Sequence, residues 1–290
     1  MANIFVISSK IKPSDSRNEI ISYNRNKESK IKLTNIENIF LLNNQSLNKN
    51  FIDYLNSKRI NIFSIDKMGH IKNIYLWKKR TKPFNFKNPF ETSKLIIERE
   101  MGSINSFRKR NGKRSNLYSS HHLNSIYNSF SYAKKLKDLR FSNQINLNEF
   151  SSAIQYVFPV FVRMYNSTKP ENITINFFHS LVFCYLHGWF NNEGINPFKS
   201  HSLFCEKNDE LYPAFLKAIF SQFRVSTTLY GLYTYQDLLS YSFFNSNTGE
   251  LNRDGKLIIS KIFTEKFVHN KNIKNKLENF WAEILEKDQG

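Results

Sequence analysis

Clusters of cationic side chains are the groups in this sequence whose types and spacing most clearly indicate chemistry. Lys78, Lys79 and Arg80 are consecutive, and residues 108–114 contain five cations in seven positions. Cations at this density repel one another unless an anion lies nearby, so we expect the 108–114 cluster to contact phosphate. A further basic run at 134–140 is explained equally well by a solvated helix face.

The excess of cations extends over the whole chain. The sequence has 42 Lys and Arg against 24 Asp and Glu, a formal net charge of +18. A field of this sign favours an anionic partner, and we expect nucleic acid rather than a membrane surface. Hydrophobic residues at 40% exclude a disordered chain. The expected nucleic-acid-binding residues are Lys78, Lys79, Arg80, Arg108, Lys109, Arg110, Lys113, Arg114, Arg163 and Arg224.

Several other kinds of site are excluded by spacing or composition. Ser, His and Asp show no triad or nucleophile-elbow spacing, and the 9 glycines form no phosphate-cradling loop. Cys184 and Cys205 lack CxxC spacing, so we interpret them as reduced, packed thiols and exclude a cysteine zinc site. No apolar run approaches the ~18 residues of a membrane span, and no secretory signal is evident. We therefore expect a cytoplasmic protein.

The elements that must position these groups change character along the chain. Residues 1–77 show short buried runs and alternation, interrupted by one helical pattern at 47–55, which predicts the order β, β, α, β, β. Pro83 and Pro89 mark an extended linker. Helical periodicity then predicts helices near 123–139, 149–165, 174–190, 211–223, 228–243, 256–268 and 272–286.

We therefore predict an α+β fold with two domains. A small N-terminal β-rich domain, residues 1–82, is joined by a linker, residues 83–92, to a larger all-α domain, residues 93–290.

Ordered segments along nearly the whole chain carry a resemblance to a known family. Residues 30–76 contain a strand, a helix followed by a strand, and a turn at Asp66–Gly69. In the helical half, the matching residues occur in the same order and at the same spacing: Glu149, Tyr156, Asn172, Gly194, Pro197, Phe223, Arg224, Leu251, Asn252, Gly255 and Lys256. This set resembles the CRISPR-associated integrase family, which inserts new spacers into DNA arrays.

The resemblance implies a metal-dependent DNA endonuclease and integrase. Such proteins join the 3′-hydroxyl ends of a captured DNA fragment to phosphodiesters at the array repeat. The resemblance also implies a homodimer, a small ferredoxin-like CRISPR-associated partner protein, and Mg²⁺ or Mn²⁺ held by Glu, His and Asp. Those ligand types suit a hard or borderline cation.

The resemblance supplies one of the three metal ligands. Glu149 lies at the first ligand position, which would also make it the one inherited catalytic residue. The histidine position falls on Leu203 and the aspartate position on Ala218, and neither side chain can coordinate a cation. The nearest substitutes are His201, Asp209 and Glu210, which are otherwise interpreted as solvated loop residues.

We therefore expect a family member that binds double-stranded or branched DNA and is catalytically impaired or inactive. If the degenerate site has lost its affinity for the cation, no metal is bound. Two alternatives stay open at this point. One is an active metal-dependent integrase that uses the displaced ligands. The other is a non-enzymatic DNA-binding or interaction module that kept only the fold.

Overall fold

The computed structural model describes the chain in blocks. These are residues 2–6, 10–14, 18–24, 27–43, 47–77, 86–88, most of 91–106, 169–196, 214–245 and 247–289. The helices expected near 123–139 and 149–165 lie outside the described residues. The strands are β1 (Ala2–Val6), β2 (Lys10–Pro13), β3 (Glu19–Asn24), β4 (Lys27–Lys32), β5 (Ile36–Leu41), β6 (Asn61–Ile65) and β7 (Ile71–Tyr75). The helices are α1 (Lys49–Ser57), α2 (Pro170–Asn192), α3 (Ala214–Ser240), α4 (Arg253–Phe263) and α5 (Lys271–Gln289).

The first sheet has four strands in the order β1-β5-β6-β7. The pairs β1–β5 and β5–β6 are parallel, and β6–β7 is antiparallel. Every residue of β6 is buried, which explains its short continuous apolar run, because a strand covered on both faces needs no polar alternation. Helix α1 makes the β5-to-β6 crossover. Asn48 caps it by accepting a hydrogen bond from the Phe51 backbone N–H at 2.8 Å.

The second sheet is an antiparallel meander in the order β2-β3-β4. Its buried side chains include Ile11, Ile20 and Ile21, and Ile11 and Ile20 share one apolar cluster with residues of the first sheet and α1. The structure confirms the predicted helix and the four predicted strands, which were expected near 31–33, 39–42, 60–65 and 71–76. Strands β1, β2 and β3 were not predicted.

The helices differ in how they are buried. Every residue of α2 from Asn172 to Asn191 is buried, so this helix is covered on all sides. Pro170 stands in its first turn, where the missing N–H costs nothing. Two helices were expected at 211–223 and 228–243, and this expectation was wrong, because one continuous helix, α3, covers both. Helix α4 continues directly into a π-helix at Thr264–Val268.

The chain groups into two compact units. One comprises residues 1–81, 165–194 and 230–271, and the other 82–164, 195–229 and 272–290. Helices α2 and α4 therefore belong to the same unit as the sheets, so the compact units do not coincide with the expected division near residue 83. The α+β class is confirmed, with strands first and helices after. No helix within the described ranges combines the length and apolar character needed to cross a membrane.

Candidate functional site

Of the positions expected to bind metal or DNA, only Ala218 and Arg224 lie among the described residues, and both belong to α3. The other candidates lie outside the described residues: Lys78, Lys79, Arg80, Arg108, Lys109, Arg110, Lys113, Arg114, Glu149, Arg163, His201, Leu203, Asp209 and Glu210. Their expected roles stay predictions. The site is therefore built from α3 outward.

Helix α3 places position 218 in its second turn and Arg224 in its third. Arg224 is 3% exposed. A guanidinium so deeply buried does not present itself to a phosphate backbone in solvent, so this position supports a role inside the fold. Phe223, which precedes it, is also buried, and its carbonyl accepts hydrogen bonds from the Ser226 and Thr227 hydroxyls at 2.8 and 2.7 Å.

A cavity of about 630 Å³ lies against the middle of α3. We call it the α3 cavity. Its walls come from α3, from α5, and from the helical residues between 98 and 106. All the described lining residues belong to the second compact unit. Its size falls within the roughly 300–1,000 Å³ typical of small-ligand sites.

The α3 wall of the cavity follows helical periodicity. Gln222, Val225, Ser226 and Leu229 line it. These positions are spaced three and four apart, so they form one face of the helix.

Two cations lie at the cavity wall, and both are held by neighbouring groups. The guanidinium of Arg99 donates from Nε and Nη2 to the two carboxylate oxygens of Glu283, and this pairing raises the pKa of Arg99. Lys276 Nζ donates to the Gln222 backbone carbonyl at 2.7 Å and lies 5.5 Å from the centre of the Phe223 ring. Both side chains are therefore preorganised beside the cavity.

The remaining wall is polar, with a short apolar strip. Ser103 and Ser106 contribute hydroxyls that can both donate and accept hydrogen bonds, and Ser226 contributes an acceptor oxygen, because its proton is donated to the Phe223 carbonyl. Val225 and Leu229 contribute the apolar strip. Glu98 is the one carboxylate among the described lining residues. This combination can bind and orient a ligand, but it offers no paired nucleophile and base.

The described residues do not fit the divalent metal that the resemblance implies. Among them no three His, Cys, Asp or Glu side chains are grouped closely enough to hold an ion. Position 218 of α3, where the resemblance places a carboxylate ligand, is alanine. Mg²⁺ and Mn²⁺ need several oxygen ligands, so an alanine on this helix contributes nothing to their binding.

The Asp66–Gly69 turn has a structural function in the first unit. Asp66 Oδ1 accepts from the backbone N–H groups of Met68 and His70 at 2.9 and 2.8 Å. Gly69 has φ +83°, and a Cβ there would lie 2.6 Å from the backbone nitrogen of Phe177. The turn therefore requires glycine for its close approach to α2.

The late motif at 251–256 is also structural in the described residues. Asn252 caps α4 by accepting from the Gly255 N–H at 2.9 Å. A Cβ on Gly255 would lie 2.7 Å from Leu251 Cδ2. Lys256 is 7% exposed and donates to Asn43 Oδ1 at 2.8 Å, and burial lowers its pKa despite the nearby carboxylates of Glu250 and Asp66.

No local pattern in the sequence identifies Arg99, Ser103 and Lys276 as cavity residues. Arg99 and Ser103 belong to one helical stretch and Lys276 to α5, and the Arg99–Glu283 pair joins residues 184 positions apart. The three- and four-residue spacing from Gln222 to Leu229 was the one available signal, but it identifies a helix face and does not identify what that face contacts.

Comparison with known proteins gives matches only among solved structures, since no protein-family model and no curated protein matches the chain. A CAS1 protein from Thermotoga maritima superposes with a TM-score of 0.69 at 15% identity, over 100% of this chain and 97% of that one. A chain of a Cas6-RT-Cas1–Cas2 complex superposes with a TM-score of 0.64 at 13% identity, over 99% of this chain and 34% of that one. A casposase bound to integration product gives 0.60 at 12% identity, over 92% and 83%.

The chain therefore has the fold of CAS1 proteins. The similarity extends from end to end of the Thermotoga protein, as the ordered motifs led us to expect. The fold expected from the resemblance to the CRISPR-associated integrase family is thus confirmed.

Proposed function

We propose that this chain is a divergent member of the CRISPR-associated integrase family that binds DNA and has lost most or all metal-dependent catalysis. The observation that carries the proposal is the CAS1 fold combined with alanine at position 218 of α3, where the family has aspartate. Fold alone does not determine activity, so the argument for lost catalysis depends on the ligand positions.

The chemistry expected of the family needs a cation to neutralise the charge that develops on the phosphate. Of the three expected ligand positions, Glu149 retains a donor, whereas Leu203 and Ala218 are apolar. Removing one stabilising group from an active site typically costs about 10²–10³ in rate. The loss of two ligands therefore predicts strand transfer and cleavage reduced by at least that factor.

The charge of the chain supports DNA binding. A net charge of +18 gives a strong attraction for a phosphate backbone. The proposed contacts are the basic clusters at 78–80 and 108–114. We further propose double-stranded or branched DNA as the ligand, a homodimer formed through residues 1–82, a small ferredoxin-like CRISPR-associated partner, and a cytoplasmic location.

The direct test of impaired catalysis uses the full chain with branched DNA and Mn²⁺ or Mg²⁺. We expect no cleavage or strand transfer above background. Clear metal-dependent activity that disappears in Glu149→Ala would refute the proposal and would favour an integrase with displaced ligands, His201 with Asp209 or Glu210.

A variant that restores the missing ligands tests whether positions 203 and 218 belong to the metal site. Restoring both lost ligands with Leu203→His and Ala218→Asp should create Mn²⁺ binding measurable by calorimetry. Glu149→Ala in that background should abolish it. Ala282→Asp, which adds the same charge at an exposed position of α5, is the matched control and should not bind the ion. Equal Mn²⁺ binding by the control would show that the site assignment is mistaken.

DNA binding is tested by its dependence on salt. Affinity for a branched duplex should fall steeply from about 50 to 200 mM salt, because each neutralised phosphate releases counterions. Neutralising the five cations at 108–114 should reduce that slope. An affinity that is flat across this range would contradict the proposed DNA contact.

A further inference from the structure

We infer that the α3 cavity binds a single nucleotide unit, with the phosphate near Arg99 and Lys276 and the base against Val225 and Leu229. The inference rests on the cavity alone and holds whether or not the chain acts as proposed above. The volume of about 630 Å³ exceeds what an inorganic phosphate needs and suits a ligand with a phosphate, a sugar and a ring.

Arg99 and Lys276, the two cations among the described lining residues, can receive an oxyanion. A guanidinium has five N–H donors, and the pairing with Glu283 uses those of Nε and Nη2 in Arg99. Lys276 is held by the Gln222 carbonyl and by its position near the Phe223 ring. Side chains already held in place lose less conformational entropy when they bind a ligand.

Carboxylates limit how strongly an anion alone can bind. Glu283 occupies one edge of Arg99, and Glu98 lies at the wall. These two negative charges offset the two positive ones, so a lone phosphate ion gains little from the cavity. Glu283 also competes with any incoming oxyanion for Arg99. Removal of the Glu283 charge should therefore strengthen ligand binding, while removal of the Arg99 charge should weaken it.

The rest of the wall supplies the contacts that a nucleotide has and a phosphate ion lacks. The hydroxyls of Ser103 and Ser106 can donate to or accept from sugar oxygens and base edges, and Ser226 Oγ, whose proton is donated to the Phe223 carbonyl, can accept. Val225 and Leu229 give an apolar surface for one face of a base. Affinity should consequently require both the phosphate and the nucleoside.

Two sources share this chemistry: a free nucleoside monophosphate, and the terminal nucleotide of a DNA strand. Titration calorimetry of the full chain distinguishes them. The probes are the four deoxynucleoside monophosphates, inorganic phosphate, a deoxynucleoside, and a short single-stranded oligonucleotide with and without a terminal phosphate. We expect saturable binding of a monophosphate, or of the phosphorylated oligonucleotide end, and at least tenfold weaker binding of phosphate or nucleoside alone.

Paired substitutions test the assignment of residues. Arg99→Gln and Lys276→Gln should each weaken binding by about ten- to hundredfold, the range for a lost charge-assisted hydrogen bond. Glu283→Gln should strengthen it severalfold. The controls are Lys261→Gln, an exposed cation of the other unit, and Glu278→Gln, an exposed carboxylate on α5 that pairs with Lys274. Both controls should leave binding unchanged.

The binding measurements either support or overturn the assignment of the α3 cavity as a nucleotide site. Opposite effects of Arg99→Gln and Glu283→Gln support the inference. No saturable binding of any probe overturns it, as does equal binding of nucleoside and nucleotide, or an equal loss in Lys261→Gln. Circular dichroism establishes that each variant is folded, and if Arg99→Gln is not, Glu283→Gln and Lys276→Gln carry the test. These experiments measure nucleotide binding, whereas the proposed function is tested by strand transfer and by salt-dependent duplex binding, so the failure of one is distinguishable from the failure of the other.

Discussion

Substitution of Gly188 by alanine should destabilise the protein, although glycine-to-alanine changes inside helices usually stabilise. Gly188 lies within α2, and a Cβ there would stand 2.5 Å from Asn38 Oδ1. Asn38 is 0% exposed and cannot move into solvent. Its amide donates to Asn3 Oδ1 at 2.8 Å, and its oxygen accepts from Asn61 Nδ2 at 3.0 Å.

The magnitude follows from the hydrogen bonds that a displaced Asn38 would lose. Each buried polar group left unsatisfied costs about 1–3 kcal/mol, so two losses cost about 2–6 kcal/mol. Alanine in place of glycine inside a helix returns about 1 kcal/mol. The net expectation for Gly188→Ala is therefore a loss of about 1–5 kcal/mol in the free energy of unfolding.

Equilibrium urea unfolding monitored by circular dichroism provides the measurement. Gly102→Ala is the matched control, because this helical glycine is exposed and a Cβ there meets nothing within 4 Å. It should be neutral or stabilising by up to ~1 kcal/mol. In an Asn38→Ala background the Gly188→Ala change should also become neutral or stabilising. Unchanged or increased stability of Gly188→Ala alone would refute the reasoning.

Three further predictions follow from buried groups. Gly69→Ala should lower the free energy of unfolding by about 2–4 kcal/mol, because φ at this position is +83° and a Cβ would lie 2.6 Å from the Phe177 backbone nitrogen. The midpoint of urea unfolding measures this loss. In a Cys205→Ser background Cys184 should resist thiol reagents until the chain unfolds, because burial raises its pKa well above the usual range; reaction at the rate of an exposed thiol under native conditions would contradict this. Burial lowers the pKa of Lys256 in the folded protein, so between that lowered pKa and 10.5 the unfolded chain binds more protons than the folded one. The free energy of unfolding of the wild-type protein, relative to that of Lys256→Met, should therefore rise as the pH approaches 10.5. A difference that stays flat or falls would contradict the assignment.

Several elements were predictable from local pattern because their signals are contained in short stretches. The apolar run of β6, the period of α1 with its Asn48 cap, and the long apolar segment of α2 each identify an element without reference to the rest of the chain. The missed strands carry weaker patterns. Strand β2 is four residues long with two lysines, and its pairing with β3 is what makes it a strand. The expected helices 211–223 and 228–243 form one continuous helix, so the expected gap at 224–227 was wrong.

The matched motifs were informative about the fold for a physical reason. Gly69 and Gly255 lie where a Cβ would collide with neighbouring atoms, and Asn252 caps a helix. Such positions are fixed by backbone geometry, so they can identify a fold even when the residues that perform chemistry have changed. This explains why the CAS1 fold was predicted correctly, whereas the proposed loss of catalysis stays a prediction that depends on the assignment of Leu203 and Ala218 to ligand positions.

Composition and local periodicity were enough to establish the net charge, the residues at the expected ligand positions, and the order of strands and helices around α1 and α2. The tertiary structure decided that Arg224 is buried, that Asn38 limits the space at Gly188, and that Arg99 meets Glu283 across 184 positions of sequence. Periodicity specifies which face of a helix is apolar, but it does not specify which distant segment that face meets. The α3 cavity exists only because three separate helical segments come together around it.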